Sequence, residues 1–142
     1  MVTGSRGLYG AVWRWHFYAG LIVAPFLIVL SFTGLIYLFN TEIDDVIYPD
    51  LRFASGSAPS LSPGSLIDAA AAAYPGGSVT RISLPVERGR TAELFVTAAD
   101  GEALRVFVDP PTGKVLGAYV YTETLIGFSD VMHGSLMLGD FG

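Results

Sequence analysis

Hydrophobic and polar positions divide the chain into two unlike parts. Between Trp15 and Thr41 there is no Lys, Arg, Asp or Glu, and the stretch from Phe17 to Phe39 is almost wholly apolar. A helix needs about 20 apolar residues to cross the hydrocarbon core of a bilayer. The pattern therefore predicts one transmembrane helix over residues 13–40, preceded by a cytoplasmic lead over residues 1–12.

A cleaved signal peptide is the alternative explanation of an apolar run near the start. Signal peptides have about 7–15 apolar residues followed by a small-residue cleavage site. Here the run is longer and ends in Tyr37-Leu38-Phe39-Asn40-Thr41, which lacks such a site. We therefore predict a retained membrane anchor.

The second part of the chain has the pattern of an α+β domain. A linker over 41–61, rich in Ser, Gly and Pro near its end, leads to Ser62 and Pro63, which are typical of a helix start. Pro75-Gly76-Gly77 ends this helix, and three or four strands with one apolar face each follow. The predicted apolar faces carry Thr80, Ile82 and Leu84; Leu94 and Val96; and Leu104, Val106 and Val108.

Turn residues complete this domain. Asp100-Gly101 predicts a hairpin, and the run from Asp109 to Lys114 predicts a turn into a last strand ending at Tyr121. We expect residues 62–122 to form one helix packed on an antiparallel sheet of three or four strands. Residues 123–142 are apolar and rich in small side chains, so we interpret them as the approach to a second transmembrane helix beyond this sequence.

Charge and composition narrow the function classes. The net charge of -5 argues against nucleic acid, which binds basic surfaces. Because the sequence has no Cys, it has no disulfide, iron–sulfur cluster or Cys-based zinc site. Arg6 and Arg14 precede the apolar helix, and no basic residue follows it before Arg52. Since basic flanks stay cytoplasmic, we expect the later domain outside the cytoplasm.

Two histidines are the candidate site residues. On an ideal helix His16 shares one face with a stripe of mostly small residues, which lets a neighbouring helix or a flat cofactor approach closely. His133 stands beside Gly134 and near two Met residues. For each, an interfacial histidine without a ligand role is the alternative. About 23 helical residues, roughly 35 Å, separate His16 from the far end of the helix, so the pair cannot bind one metal ion. The stripe residues are Gly20, Ala24, Leu27, Ser31 and Gly34.

Two other groups of residues are weaker candidates for a functional site. Asp44 and Asp45 form an acidic pair, for which a solvated helix exit is the simpler interpretation. Ser129, Asp130 and His133 match a hydrolytic set in composition only, because no oxyanion-binding feature accompanies them.

Three segments resemble the PepSY-associated transmembrane protein family. The first is similar to the family's first helix, the second to the closing hairpin of a PepSY domain, and the third to the His-bearing segment before its second helix. Together they span nearly all of the chain from Trp13 onward. They are residues 13–21 with 24–26 and 33–37, residues 108–117, and residues 132–139.

The resemblance implies a haem protein. It implies about four membrane helices around an external PepSY domain, with His16 and His133 as axial ligands of two b-type haems near opposite faces of the membrane. The partner histidines would come from later helices, so the fragment alone is expected to be inactive. The implied activity of the full protein is reduction of a ferric siderophore. The alternative, from another class, is a membrane-anchored PepSY module that binds or restrains a partner such as a protease, without a cofactor.

Overall fold

The computed structural model describes residues 4–56, 58–137 and 139. These form two compact units: a membrane unit made of the chain up to Leu38 and from Ser129 onward, and a sheet unit, Phe39–Phe128. The helices and strands, in chain order, are α1 Gly4–Leu38, α2 Asn40–Ile47, α3 Pro49–Arg52, α4 Pro63–Ala73, β1 Ser78–Ser83, β2 Ala92–Thr97, β3 Ala103–Val108, β4 Val115–Val120 and α5 Leu125–Ser135.

Helix α1 is the one helix in the described residues that is long and apolar enough to cross a membrane, over Gly7–Leu38, and it contains an 18-residue stretch of mean hydropathy 2.4. Pro25 lies inside it, as expected. The helix extends back to Gly4, so residues 4–12 of the predicted lead are helical; residues 1–3 lie outside the described residues. The limits of the membrane span within 13–40 stay a prediction.

The sheet unit confirms the predicted helix-on-sheet domain. Its four strands are antiparallel neighbours in the order β1-β2-β3-β4. Helix α4 begins as predicted, because Ser62 accepts a hydrogen bond from the Ser65 N–H and Pro63 takes the first helical position. A core of fully or almost fully buried side chains lies between α4 and the sheet. Its members are Leu66, Ala70, Ala92, Leu94, Val96, Val106 and Val108.

The first strand departs from simple alternation. Val79 and Ile82 both pack against the core although they are three residues apart, because the pairing register shifts between Val79 and Arg81. Such a bulge adds one residue to a strand and reverses the faces beyond it. The prediction that Thr80 faces the core is therefore wrong. Thr80 is exposed, and its hydroxyl donates to the Phe95 carbonyl.

Helices α2 and α3 occupy most of the first part of the predicted 41–61 linker. They belong to the sheet unit: Arg90 of the β1–β2 loop donates to Asp45 of α2 at 2.8 Å, and the Thr91 hydroxyl donates to the Leu51 carbonyl at 2.7 Å. The described residues from Ala54 to Leu61 are irregular, as the Ser-, Gly- and Pro-rich composition indicates, while Ser57 lies outside the described residues. The two helices are short and are stabilised by tertiary contacts, so the sequence has no long helical repeat of apolar residues that would predict them.

The C-terminal segment forms one short helix in the described residues. Helix α5 has 11 residues and ends at Ser135, where Leu136 and Met137 adopt positive φ angles of 50° and 58°. Positive φ is incompatible with a continuing right-handed helix. The predicted approach to a second membrane helix over 123–142 therefore contains a helix and a turn, and its residues 138 and 140–142 lie outside the described residues.

Candidate functional site

Helix α5 places His133 against α1 within the membrane unit. The His133 Nδ1 atom lies 3.1 Å from the carbonyl oxygen of Leu30 and 3.2 Å from the hydroxyl oxygen of Thr33. Leu30 and Thr33 are three positions apart on α1, which is slightly less than one helical turn. The contact joins two of the segments on which the family resemblance rests, residues 33–37 and residues 132–139.

The Leu30 carbonyl decides which ring nitrogen of His133 carries the proton. A carbonyl oxygen can only accept a hydrogen bond, so the contact requires the proton on Nδ1. The Thr33 hydroxyl donates to the Val29 carbonyl at 2.9 Å, which leaves its oxygen free to accept from His133 as well. In this tautomer the Nε2 atom of a neutral ring presents a lone pair, and within the described part of the chain Nε2 has no hydrogen-bond partner.

Gly34 makes room for the imidazole ring. A Cβ atom added at Gly34 would lie 3.0 Å from His133 Cε1 and 3.4 Å from Nδ1. The distance of 3.0 Å is shorter than an ordinary van der Waals contact, so the ring lies this close to the helix because residue 34 has no side chain. In contrast, a Cβ atom at Gly20, on the same stripe of α1, would meet nothing within 4 Å in the described structure.

His16 lies at the other end of the same face. Gly34 follows His16 by 18 positions, which is about five turns and about 27 Å along an ideal helix. The two histidines are therefore held apart, which confirms the prediction that they cannot share one metal ion. His16 is exposed on α1, and the described residues contain no group of three or more His, Asp or Glu side chains that could hold a metal ion. A ligand role for either histidine stays a prediction.

The hydrolytic interpretation of Ser129, Asp130 and His133 gains no support. Ser129 is completely buried, and its hydroxyl has no hydrogen-bond partner in the described structure. His133 Nδ1 is occupied by α1 instead. The serine is therefore not activated by this histidine, which is the first requirement for a nucleophile of that kind.

The sheet unit contains a buried acid that the sequence analysis did not predict. Asp44 is 8% exposed, and its Oδ1 atom has no partner among the described residues. Burial raises the pKa of the Asp44 carboxyl above its ordinary value and Glu93 raises it further, which outweighs the lowering by Arg52 and a hydrogen bond from Tyr119. The solvated helix exit is therefore the wrong interpretation for Asp44, because the side chain is buried beside Glu93 and Tyr119, which come from distant parts of the chain.

The adjacent Asp45 has the opposite environment. A hydrogen bond from Arg90 lowers the pKa of the Asp45 carboxyl below its ordinary value, and a second one from Arg52 adds to it against the effect of burial. Both arginine contacts are ion pairs, at 2.8 and 3.1 Å. Asp45 therefore links α2 to α3 and to the β1–β2 loop.

The apolar helix and the helix-on-sheet unit together define a membrane-anchored α+β protein. A family model, described as the PepSY-associated TM region, matches residues 13–142. The chain belongs to this family, as its three motifs indicate. A comparison with curated proteins found no match.

Proposed function

We propose that this chain is the N-terminal part of an inner-membrane electron-transfer protein in which His16 and His133 each ligate a b-type haem. The N-terminus is cytoplasmic, the sheet unit is extracytoplasmic, and the electrons reduce iron(III) held by a siderophore outside. Each histidine needs a partner histidine from a further membrane helix of the protein. The conclusion rests chiefly on the contact of His133 with α1.

The geometry of His133 fits a haem ligand. Histidines that bind metal nearly always donate their second ring N–H to a carbonyl or carboxylate, which fixes the tautomer and the direction of the ligating nitrogen. Here Nδ1 has the Leu30 carbonyl at 3.1 Å, so Nε2 is the atom left to coordinate iron.

His16 supports a second site by its place on α1. An ionisable residue in a membrane helix is costly and is therefore a functional candidate by default. Small side chains follow it along the same face, where a cofactor or a neighbouring helix can approach. Two sites at opposite ends of one helix provide two positions for an electron on its way across the bilayer.

The chain's own residues supply binding and orientation. His133 is held by Leu30 and Thr33. Haem, when bound through imidazole nitrogens, supplies one-electron transfer. Each iron(III) that becomes iron(II) takes up one electron, which a reduced one-electron donor on the cytoplasmic side must provide.

Absorption spectroscopy tests the proposal. The purified full-length protein is expected to show a Soret band, and His133→Ala and His16→Ala are each expected to lose the part of the haem that the replaced residue binds. Ser135→Ala, at the end of the same helix α5, is the matched control and should keep the full spectrum. Absence of haem from the full-length protein with all helices present would overturn the proposal.

The alternative of a partner-binding module has one structural observation in its favour. A cleft of about 450 Å³ opens in the sheet unit between the segment after α3, the β1–β2 loop and the β3–β4 turn. Its walls include Pro59, Arg88 and Pro110. A membrane-anchored module that binds a protein segment in this cleft would need no cofactor, and it becomes the preferred function if the spectrum shows no haem.

A further inference from the structure

Helix α2 buries its acidic side chains and exposes apolar ones, which is the reverse of the usual pattern for a helix on a surface in water. Its acidic residues Asp44 and Asp45 point into the sheet unit, with Asp44 buried and the Asp45 side chain 18% exposed. Its apolar residues Val46 and Ile47 are 82% and 47% exposed. A surface helix in water normally buries the apolar side chains and exposes the charged ones.

The apolar side chains of α2 form one surface. Ile43, which is half-buried, lies with the exposed Val46 and Ile47 within an arc of about 100° on an ideal helix, and we call this surface the α2 apolar face. Asp45 lies on the opposite side, at about 200° from Ile43. Glu42, in the first turn, lies at the edge of the face. The described part of the chain does not cover Val46, so something else must contact this surface if it is not to stay in water.

The position of α2 in the chain identifies the occupant. Only Phe39 separates the end of α1 at Leu38 from the start of α2 at Asn40. Leu38 and Phe39 are themselves 70% and 48% exposed. Because α2 begins two residues after the end of α1, we expect it at the level of the lipid headgroups, where a membrane helix ends.

The apolar run of α1 ends directly before α2. The stretch from Phe17 to Phe39 carries no Lys, Arg, Asp or Glu and has 23 residues, which is about 35 Å of helix and close to the thickness of a hydrocarbon core of about 30 Å. The surface of the bilayer is therefore expected near Phe39.

The charges of α2 are compatible with an interfacial position. Asp45 is neutralised by ion pairs with Arg52 and Arg90, and Asp44 is buried within the sheet unit. Amphipathic helices that lie in the interface bury their apolar side chains about 5–10 Å into the boundary between headgroups and acyl chains. Val46 and Ile47 are side chains of the kind that gain free energy there, because their apolar area leaves water.

We propose that the α2 apolar face lies in the lipid interface at the C-terminal end of α1 and so anchors the sheet unit to the membrane surface. The occupant is the bilayer itself, at the boundary between headgroups and acyl chains. This anchoring does not depend on haem, so it stands or falls separately from the electron-transfer proposal.

Spin labelling tests this directly, because the sequence contains no Cys and a single introduced thiol is labelled without background from this chain. Val46→Cys carries the nitroxide in the protein reconstituted into phosphatidylcholine nanodiscs. Val86→Cys, in the β1–β2 loop of the same unit and 101% exposed, is the matched control. The measurement is the collision rate of each label with oxygen, which concentrates in lipid, and with a water-soluble nickel chelate.

The proposal predicts a ratio of oxygen to nickel collisions that is several-fold higher at position 46 than at position 86. Equal ratios at the two positions would place Val46 in water and overturn it. A label at position 46 that is shielded from both reagents would also overturn it, because the α2 apolar face would then be covered by protein, from another helix or from a second copy. Ile47→Cys, on the same face, should repeat the result of Val46→Cys.

Discussion

The membrane unit and the sheet unit treat apolar side chains in opposite ways. In the sheet unit Leu66, Leu94 and Val106 are completely buried by residues of the same unit. In the membrane unit Leu21, Ile22 and Leu27 are more than half exposed. The difference teaches that the sheet unit carries its own core, whereas α1 depends on lipid or on further helices to cover it.

The same contrast separates the two kinds of site. The polar cluster around Asp44 and Asp45 is assembled from α2, α3, the β1–β2 loop and the sheet, all of which belong to one unit. The His133 site consists of one ring nitrogen held by α1 and one left unpaired in the described structure. A second ligand would have to come from elsewhere in the protein.

The largest effect is expected from a pair of side-chain truncations, one in each unit, which tests this comparison. Leu66→Ala should destabilise the sheet unit by about 2–5 kcal/mol, because it removes a buried side chain and leaves a cavity. Leu27→Ala, at a side chain 57% exposed on α1, should change the unfolding free energy of the sheet unit by less than about 0.5 kcal/mol. Urea unfolding of the reconstituted protein, followed by near-ultraviolet circular dichroism of the tyrosines, measures both. Equal effects would mean that the two units share one core.

A smaller effect distinguishes the two adjacent acids. Asp45→Asn should cost about 1–3 kcal/mol at neutral pH, because it weakens charged hydrogen bonds to two half-buried arginines. The folded-state pKa of Asp45 lies below its unfolded value, so this stabilisation is present above the unfolded pKa and is lost as the pH falls through the folded one. Asp44 has a raised folded pKa, so its contribution is fully present below the unfolded pKa of about 3.9 and is lost as the pH rises through the folded value.

Unfolding at a series of pH values checks the signs. As the pH rises from about 4 to neutrality, the free energy of unfolding should fall less steeply for Asp44→Asn than for wild type. As the pH is lowered, the difference in the free energy of unfolding between wild type and Asp45→Asn should disappear. Asp50→Asn, at an exposed position, serves as the control and should follow wild type within about 0.5 kcal/mol. Parallel curves for the Asp44 and Asp45 variants would contradict the environments described above.

Local patterns predicted much of this architecture. The apolar run without charges marked α1, Ser62 and Pro63 marked the start of α4, and Asp100-Gly101 marked a hairpin whose glycine has a φ of 92°. These features depend on residues that are close in sequence. The bulge in β1 and the short helices α2 and α3 depend on pairing and ion pairs between distant residues, so alternation and composition did not reveal them.

The candidate site was predictable only in part. The small-residue stripe pointed to the face of α1 that carries His16 and Gly34, and His133 was singled out by its neighbours Met132 and Gly134. The contact between His133 and Leu30 joins positions that are 103 residues apart. Because its acceptor is a backbone carbonyl, the contact does not depend on which residue stands at position 30. The buried Asp44 was mistaken for a solvated acid because Glu93 and Tyr119, beside it, are likewise distant in sequence.

The most direct test of the central claim, that α1 holds His133 ready to ligate a haem, is the low-spin haem content of two glycine variants in the full-length protein. Gly34→Ala places a methyl group 3.0 Å from the His133 ring, so the account predicts displacement of the ring and loss of much of the haem that His133 binds. Gly20→Ala, on the same stripe with nothing within 4 Å, should keep that haem. Full low-spin haem in Gly34→Ala, or equal losses in the two variants, would contradict the account.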